Sequence, residues 1–251
     1  MKNGKKRKWL LPAVAALGIL AMALRMGLYA LAADRKGLLV SGHPLETALW
    51  AVVLAGAALI VLAVFGMDGS ARYEDNFRSS GFAAAGNFLM GAAVAMTAVL
   101  DGAKMTGPAA AALTVLGCGA AAAFLAAGYC RLKGKKPFFL THAVGCVFLL
   151  LNIVVHYRSW SGDPQLQDYI FDLLAGVMLM LFCYYTAMFE ADAGKRRMQL
   201  ATGLMAVLFG LTAQSDSEFF VLCVSGVIWA ASDLCTLEPR PKESGETDEA
   251  P

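Results

Sequence analysis

"SGHPLETALWAVVLAGAAL", residues 41–59, and "SGDPQLQDYIFDLLAGVML", residues 161–179, align without a gap and share Ser, Gly, Pro, a Leu-Ala-Gly triplet and the closing Leu. Each opens on a turn signature and runs into an apolar stretch. In the second copy Asp163 can accept backbone N–H bonds ahead of a helix, and Pro164 suits a first helical position, where no N–H is needed. The motif therefore marks the start of a long apolar helix twice in one chain.

Two further matches follow in the same order. The pattern Leu-Met-x6-Thr-Ala-x2-Asp occurs as Leu89, Met90, Thr97, Ala98 and Asp101, and again as Leu204, Met205, Thr212, Ala213 and Asp216. Beyond it Cys118, Phe124, Ala126, Cys130 and Leu132 correspond to Cys223, Trp229, Ala231, Cys235 and Leu237. The expected architecture is all-α: two four-helix repeats in a polytopic membrane protein of about eight transmembrane helices. An even number of spans per copy makes the copies parallel, related by a pseudo-twofold along the membrane normal.

Composition requires the bilayer. At 58% hydrophobic and 16% charged residues, the 251-residue chain has more apolar surface than a water-soluble core can hide. Apolar runs of about 20 residues, the length that crosses a hydrocarbon slab of about 30 Å, fall at 9–33, 44–66, 81–100, 108–130, 137–156, 169–189, 198–214 and 219–236. The last two are short and separated only by "SDSE", so a six-span arrangement with a re-entrant pair stays open beside the eight-span one. The divisions are a basic N-terminus (1–8), a first repeat (9–133), a second repeat (134–237) and a disordered cytoplasmic tail (238–251).

Lys and Arg set the orientation, because cytoplasmic flanks retain positive charge during insertion. With the N-terminus inside, sixteen of the 21 fall in cytoplasmic segments, including Arg72, Arg78, Arg131, Lys133, Lys135, Lys136, Lys195, Arg196 and Arg197. Only Arg35, Lys36, Lys104 and Arg158 lie outside, and Arg25 lies within the first span. Both termini are then cytoplasmic and the membrane is the plasma membrane. The net charge of +2 reflects this topology and gives no reason to expect nucleic acid. The N-terminal segment also has the form of a secretory signal ending in "ALAA", which is the alternative to a retained first helix. The six cysteines sit within the runs or at their ends without metal-ligand spacing, and read as small packing residues.

The Gly- and Ala-rich third and fourth runs suit close helix contact through small residues. A few polar groups remain within the apolar runs. Asp168 and Asp172 are four apart and share a helix face; one reading makes them complements to the helix dipole, the other makes them site residues. Arg25 lies about 12 Å from the outer end of its span at 1.5 Å per residue and needs an acid, for which Asp172, Asp168, Glu46 and Asp101 lie on the right side. Asn152 and His156 are four apart at a comparable depth, and Tyr29 is one turn beyond Arg25. With His43 these residues outline a polar cleft opening outward between the repeats. The candidate ligand-binding set is Arg25, Tyr29, Glu46, Asn152, His156, Asp168 and Asp172, with Arg25 paired to Asp172.

None of the motifs G-x-S-x-G, H-E-x-x-H or a phosphate-binding Gly loop occurs, and nothing in the pattern asks for a cofactor or a metal. The segments "GHPLETALW", "YEDNF" and "WSGDPQLQDY" resemble a group of uncharacterised multi-span membrane proteins of Gram-positive bacteria. The resemblance covers most of the chain, implies the multi-span architecture, and transfers no activity or site. The expected partners are the lipid bilayer, a small solute or ion bound or moved through the cleft, or a membrane protein partner. The alternatives are a non-catalytic subunit or scaffold of an export, envelope or signalling assembly, and an enzyme using Asp168 or Asp172 with His156 as acid and base.

Overall fold

The computed structural model describes residues 9–32, 42–65, 67, 71–104, 107–161, 169–213 and 218–237. The basic segment 1–8, the Asp163/Pro164 cap, Asp168, Asp216 and the tail 238–251 lie outside the described residues. The described chain forms α1 (Leu10–Ala32), α2 (Pro44–Val64), a single turn α3 (Tyr73–Asn76), α4 (Gly81–Lys104), α5 (Pro108–Lys133), α6 (Leu140–Trp160), α7 (Ile170–Glu190), α8 (Arg196–Thr212) and α9 (Glu218–Thr236). Seven of them, α1, α2, α4, α5, α6, α7 and α9, are long and apolar enough to cross a membrane. The expected run at 198–214 corresponds to α8, whose 17 residues begin with Arg196 and Arg197.

Local sequence explains the helix boundaries. At α2 the Pro44 ring starts the helix, His43 Nδ1 accepts from Leu45 N at 3.3 Å, and Glu46 Oε2 accepts from Gly42 N at 3.0 Å. At the end of α5, Gly134 takes the left-handed conformation (φ 64°) and returns its N–H to the Arg131 carbonyl, a conformation that glycine enters without steric cost.

Helices α4 to α9 form a bundle in which each packs on the next and α9 closes back on α4; the α1–α2 hairpin lies against α8. Small residues set the spacing of α4. A methyl group added at Gly91 would lie 3.2 Å from the Ala121 carbonyl, one at Gly117 would overlap Ala98 Cβ, and one at Gly86 would lie 3.1 Å from Trp229 Cα. Here α4 presses against α5 on one side and α9 on the other, through the small surfaces that drive helix association in lipid. Gly18 and Gly56 do the same for the hairpin, against Leu211 and Leu208 of α8.

The fully buried Trp229 of α9 occupies the bundle interior. Its ring centroid lies 5.1 Å from Phe124 of α5 and 4.8 Å from Phe182 of α7, both edge to face. It stacks on His142 of α6 at 5.6 Å and 9°. Large apolar side chains such as Leu31, Leu54, Leu62 and Val115 instead face outward. An apolar exterior around buried polar groups is the distribution that a hydrocarbon solvent selects.

The connecting segments at the end where α5 finishes and α8 begins, hereafter the basic end, are tied together. Asp192, at φ 55°, accepts from Tyr73 N at 3.0 Å and bonds Lys136 Nζ, and Gly194 N donates to the Ala71 carbonyl at 3.2 Å. The Lys136 ammonium, then the Tyr73 N–H, hold the Asp192 carboxyl below the usual carboxylate range. A depressed folded-state value contributes stability above the ordinary carboxylate value, and that contribution is lost as pH falls through the depressed one.

The α4–α5 contact predicts opposite outcomes for two glycines of α5. Gly117→Ala should lower the melting temperature in detergent, by an overpacking cost of about 1–3 kcal/mol. Gly119→Ala, whose methyl would meet nothing nearer than Val144 Cγ1 at 4.0 Å, should be neutral or stabilising by up to about 1 kcal/mol. Equal losses from both would show that helix proximity does not set the cost.

Candidate functional site

Polar side chains gather inside the bundle at two levels. At the end opposite the basic one, hereafter the far end, Arg25 of α1 reaches across to α7 and α8. Its Nη2 lies 3.1 Å from Asp172 Oδ2, its Nη1 donates to the Thr212 carbonyl at 2.8 Å, and both side chains are buried. The pairing follows from position. Asp172 sits in the first turn of α7, where the helix dipole favours an anion, and Thr212 offers a carbonyl that the end of α8 leaves without an intrahelical donor. The guanidinium also lies 5.8 Å from the Tyr29 ring centroid and 5.5 Å from that of Phe171.

A second far-end cluster joins α4 and α6. Asp101 Oδ2 accepts from Asn152 Nδ2 at 3.2 Å and lies 3.3 Å from His156 Nε2. Thr97 is one turn before Asp101, so the two share a face of α4; Asn152 and His156 are related in the same way on α6. Thr97 Oγ1 and Asn152 Oδ1 are buried without a hydrogen-bond partner. His156, with 12% of its side chain exposed, is the most accessible member. Its ring lies against Trp160 and Phe219 at 5.5 and 5.1 Å.

The expected set therefore divides. Arg25, Tyr29 and Asp172 form one constellation, and Asn152 and His156 form another around Asp101. Gly176, one turn beyond Asp172, packs against Ile153 and Phe219, which puts an apolar wall beside the ion pair. Glu46 and His43 are taken up by the start of α2, and Asp168 lies outside the described residues. His156 is bonded to Asp101 and Asp172 to Arg25, so the structure does not bring those two together as an acid and base.

The larger polar cluster lies at the basic end and was not expected from the sequence. Arg131 Nη2 lies 2.6 Å from Asp233 Oδ1, with the guanidinium 4.1 Å from the Phe77 ring centroid. Nearby, His142 Nδ1 lies 2.6 Å from Glu190 Oε1, and its Nε2 lies 3.3 Å from Asn87 Oδ1. Arg196 Nη1 donates to Asn76 Oδ1 at 3.1 Å, and Gln199 Nε2 donates to Thr186 Oγ1 at 2.8 Å. Arg131 and Arg196 look like cytoplasmic flank charges in the sequence, yet both are buried, because α3 and the end of α9 fold over them. The available signal was Asn87, His142 and Asp233, polar residues within the apolar runs.

Among the described residues, no group of three or more His, Cys, Asp or Glu side chains is placed to hold a metal ion, and the described cysteines are free thiols. The fold and its interior define an all-helical protein with seven membrane-length apolar helices and buried ionisable pairs. No family model, curated protein or solved structure matches the chain.

The Arg25–Asp172 pair makes a quantitative prediction. Removing one partner of a dry ion pair strands the other and costs about 3–5 kcal/mol. Arg25→Ala and Asp172→Ala should each lower the melting temperature in detergent, and the double variant should lose clearly less than their sum. Additive losses would mean that the two side chains are energetically independent.

Proposed function

We propose that the chain is a multi-pass plasma-membrane protein that binds or moves a small solute or ion, at a polar site built on Asp101, Asn152 and His156. The carrying observation is that two oxygens are buried without a hydrogen-bond partner: Thr97 Oγ1, one turn before Asp101 on α4, and Asn152 Oδ1, on the amide that donates to Asp101. Buried polar atoms without partners are uncommon. A carboxylate with two uncharged oxygens suits a small cation or an ammonium group, and His156 gives that ligand a polar way in. Ionisable residues within apolar helices are costly to keep, which supports a functional role.

In this reading α8 also crosses, which makes eight spans, and both termini are cytoplasmic. The two four-helix halves descend from a duplication, which the aligned motifs support, as do the matching contacts of α1 with α2 and α6 with α7, and of α4 with α5 and α8 with α9. The halves differ elsewhere: α7 packs on α8, whereas α2 packs on α1 and α8. The resemblance to multi-span membrane proteins of Gram-positive bacteria is read as shared ancestry. A second reading, a non-catalytic subunit of a larger membrane assembly, draws on the Arg25–Asp172 and Arg131–Asp233 pairs, which staple helices together.

Thermal melts in detergent with sodium, lithium, potassium and a panel of small organic ammonium salts test the site. At least one should stabilise the wild type saturably, by about 2.7 kcal/mol at a hundredfold excess over its Kd, and Asp101→Asn should abolish that response. Thr97→Val should weaken the response while leaving the ligand-free protein as stable or more so, since it removes an unpaired buried hydroxyl. No response to any of them, or one that survives Asp101→Asn, would remove the site. Separately, tags at the N-terminus, within 67–80 and at the C-terminus should all report the cytoplasm; external labelling of a cysteine placed in 67–80 would overturn the topology.

A further inference from the structure

At the basic end, His142, Glu190 and Asn87 belong to three different helices, α6, α7 and α4, and none of them takes part in the far-end site. We propose that they form a proton-binding site, in which one proton is held in the bond between His142 Nδ1 and Glu190 Oε1 and ties these helices together. The inference does not depend on the reading of the Asp101 cluster.

Hydrogen-bond accounting fixes where the proton lies. Asn87 Nδ2 donates to the Ala83 carbonyl at 2.8 Å, so it is Oδ1 that faces His142. Oδ1 can only accept; His142 Nε2, 3.3 Å away, must therefore carry a hydrogen. Glu190 Oε2 accepts the His142 backbone N–H at 3.3 Å, which leaves Oε1 to meet Nδ1. At 2.6 Å, two bare acceptors would repel, so a proton must lie between them. Whether it sits on nitrogen or on oxygen, the pair carries two ring-or-acid protons and no net charge.

Loss of that proton would leave a neutral ring facing a buried carboxylate, an arrangement this geometry does not tolerate. Release is therefore linked to movement of α6 away from α7. The surroundings reinforce the linkage. Trp229 of α9 stacks on the His142 ring, and Cys183 Sγ of α7 donates to the His142 carbonyl at 3.1 Å. From α4 the ring meets the uncharged Asn87. Glu190 acts electrostatically on Tyr73 of α3, Cys130 of α5 and Cys183 of α7; beyond them lie Arg131 and Asp233 next to Tyr73, Lys135 next to Cys130 and Cys146 of α6 next to Cys183. Arg131 is bonded to Asp233 through Nη2.

The chain has three histidines, so nitrogen-15 NMR of the histidine-labelled protein in detergent, assigned with His43→Gln and His156→Gln, can follow His142 alone. Infrared difference spectra between wild type and Glu190→Gln report whether the Glu190 carboxyl is protonated. The expected result at neutral pH is an Nε2–H together with either an Nδ1–H or a protonated Glu190. In Glu190→Gln the ring should lose this anchoring and become neutral with a single N–H. A wild-type ring that lacks a proton on Nε2 would overturn the proposal even if the variant fails to fold, and a neutral ring beside an ionised Glu190 would overturn it when the variant folds.

Discussion

A charge that cannot reach water must find its counter-charge on another helix, and in this chain that requirement draws together segments far apart in sequence. Arg25 meets Asp172 across 147 positions and Arg131 meets Asp233 across 102, while His142–Glu190 and His156–Asp101 span 48 and 55. These four contacts join α1 to α7, α5 to α9, α6 to α7 and α6 to α4. Apolar side chains can slide past one another in lipid with little loss, because lipid tails are as apolar as the helix surfaces. Buried polar contacts cannot slide, since a displaced partner leaves an unpaired polar group or an uncompensated charge. Small residues bring the helices close, and the polar contacts fix which faces meet.

How far this was legible in the sequence depended on depth. Arg25 stood well inside an apolar run with few acids at reach, so its need for Asp172 could be argued before any geometry was known. Asn152 and His156 were recognisable as a helical pair, but their partner Asp101 lies at the end of α4, where an acid is indistinguishable from an interfacial one. At the basic end the difficulty was greater. Arg131 and Arg196 sit where positive charge is expected on topological grounds, and only the folding of α3 and the last residues of α9 over them turns flank charges into buried ones. Near a helix end, a few ångströms decide between water and interior, and periodicity does not resolve that distance.

The eight apolar runs correspond to eight long helices, seven of membrane length, because continuous apolar sequence in lipid leaves the backbone little alternative to a helix. The packing partners of those helices were less accessible. Sequence matches between the halves suggested equivalent neighbours, yet α8 lies against α7, α9 and the α1–α2 hairpin, whereas α4 lies against α5 and α9. Gly86, Gly91 and Gly117 let α4 approach its neighbours closely, and a glycine records that an approach is permitted without recording which helix makes it.

Helices α4 and α6 carry their polar groups in matching register. Asn87 and Asp101 are fourteen residues apart, as are His142 and His156, a distance of about 21 Å along each axis, with buried Val94 and Leu149 midway. Fourteen residues is two heptads, so each helix presents both polar positions on nearly the same stripe. Turning α6 about its own axis would therefore withdraw both histidines from α4 together, so the two ends of the bundle are mechanically coupled through one helix.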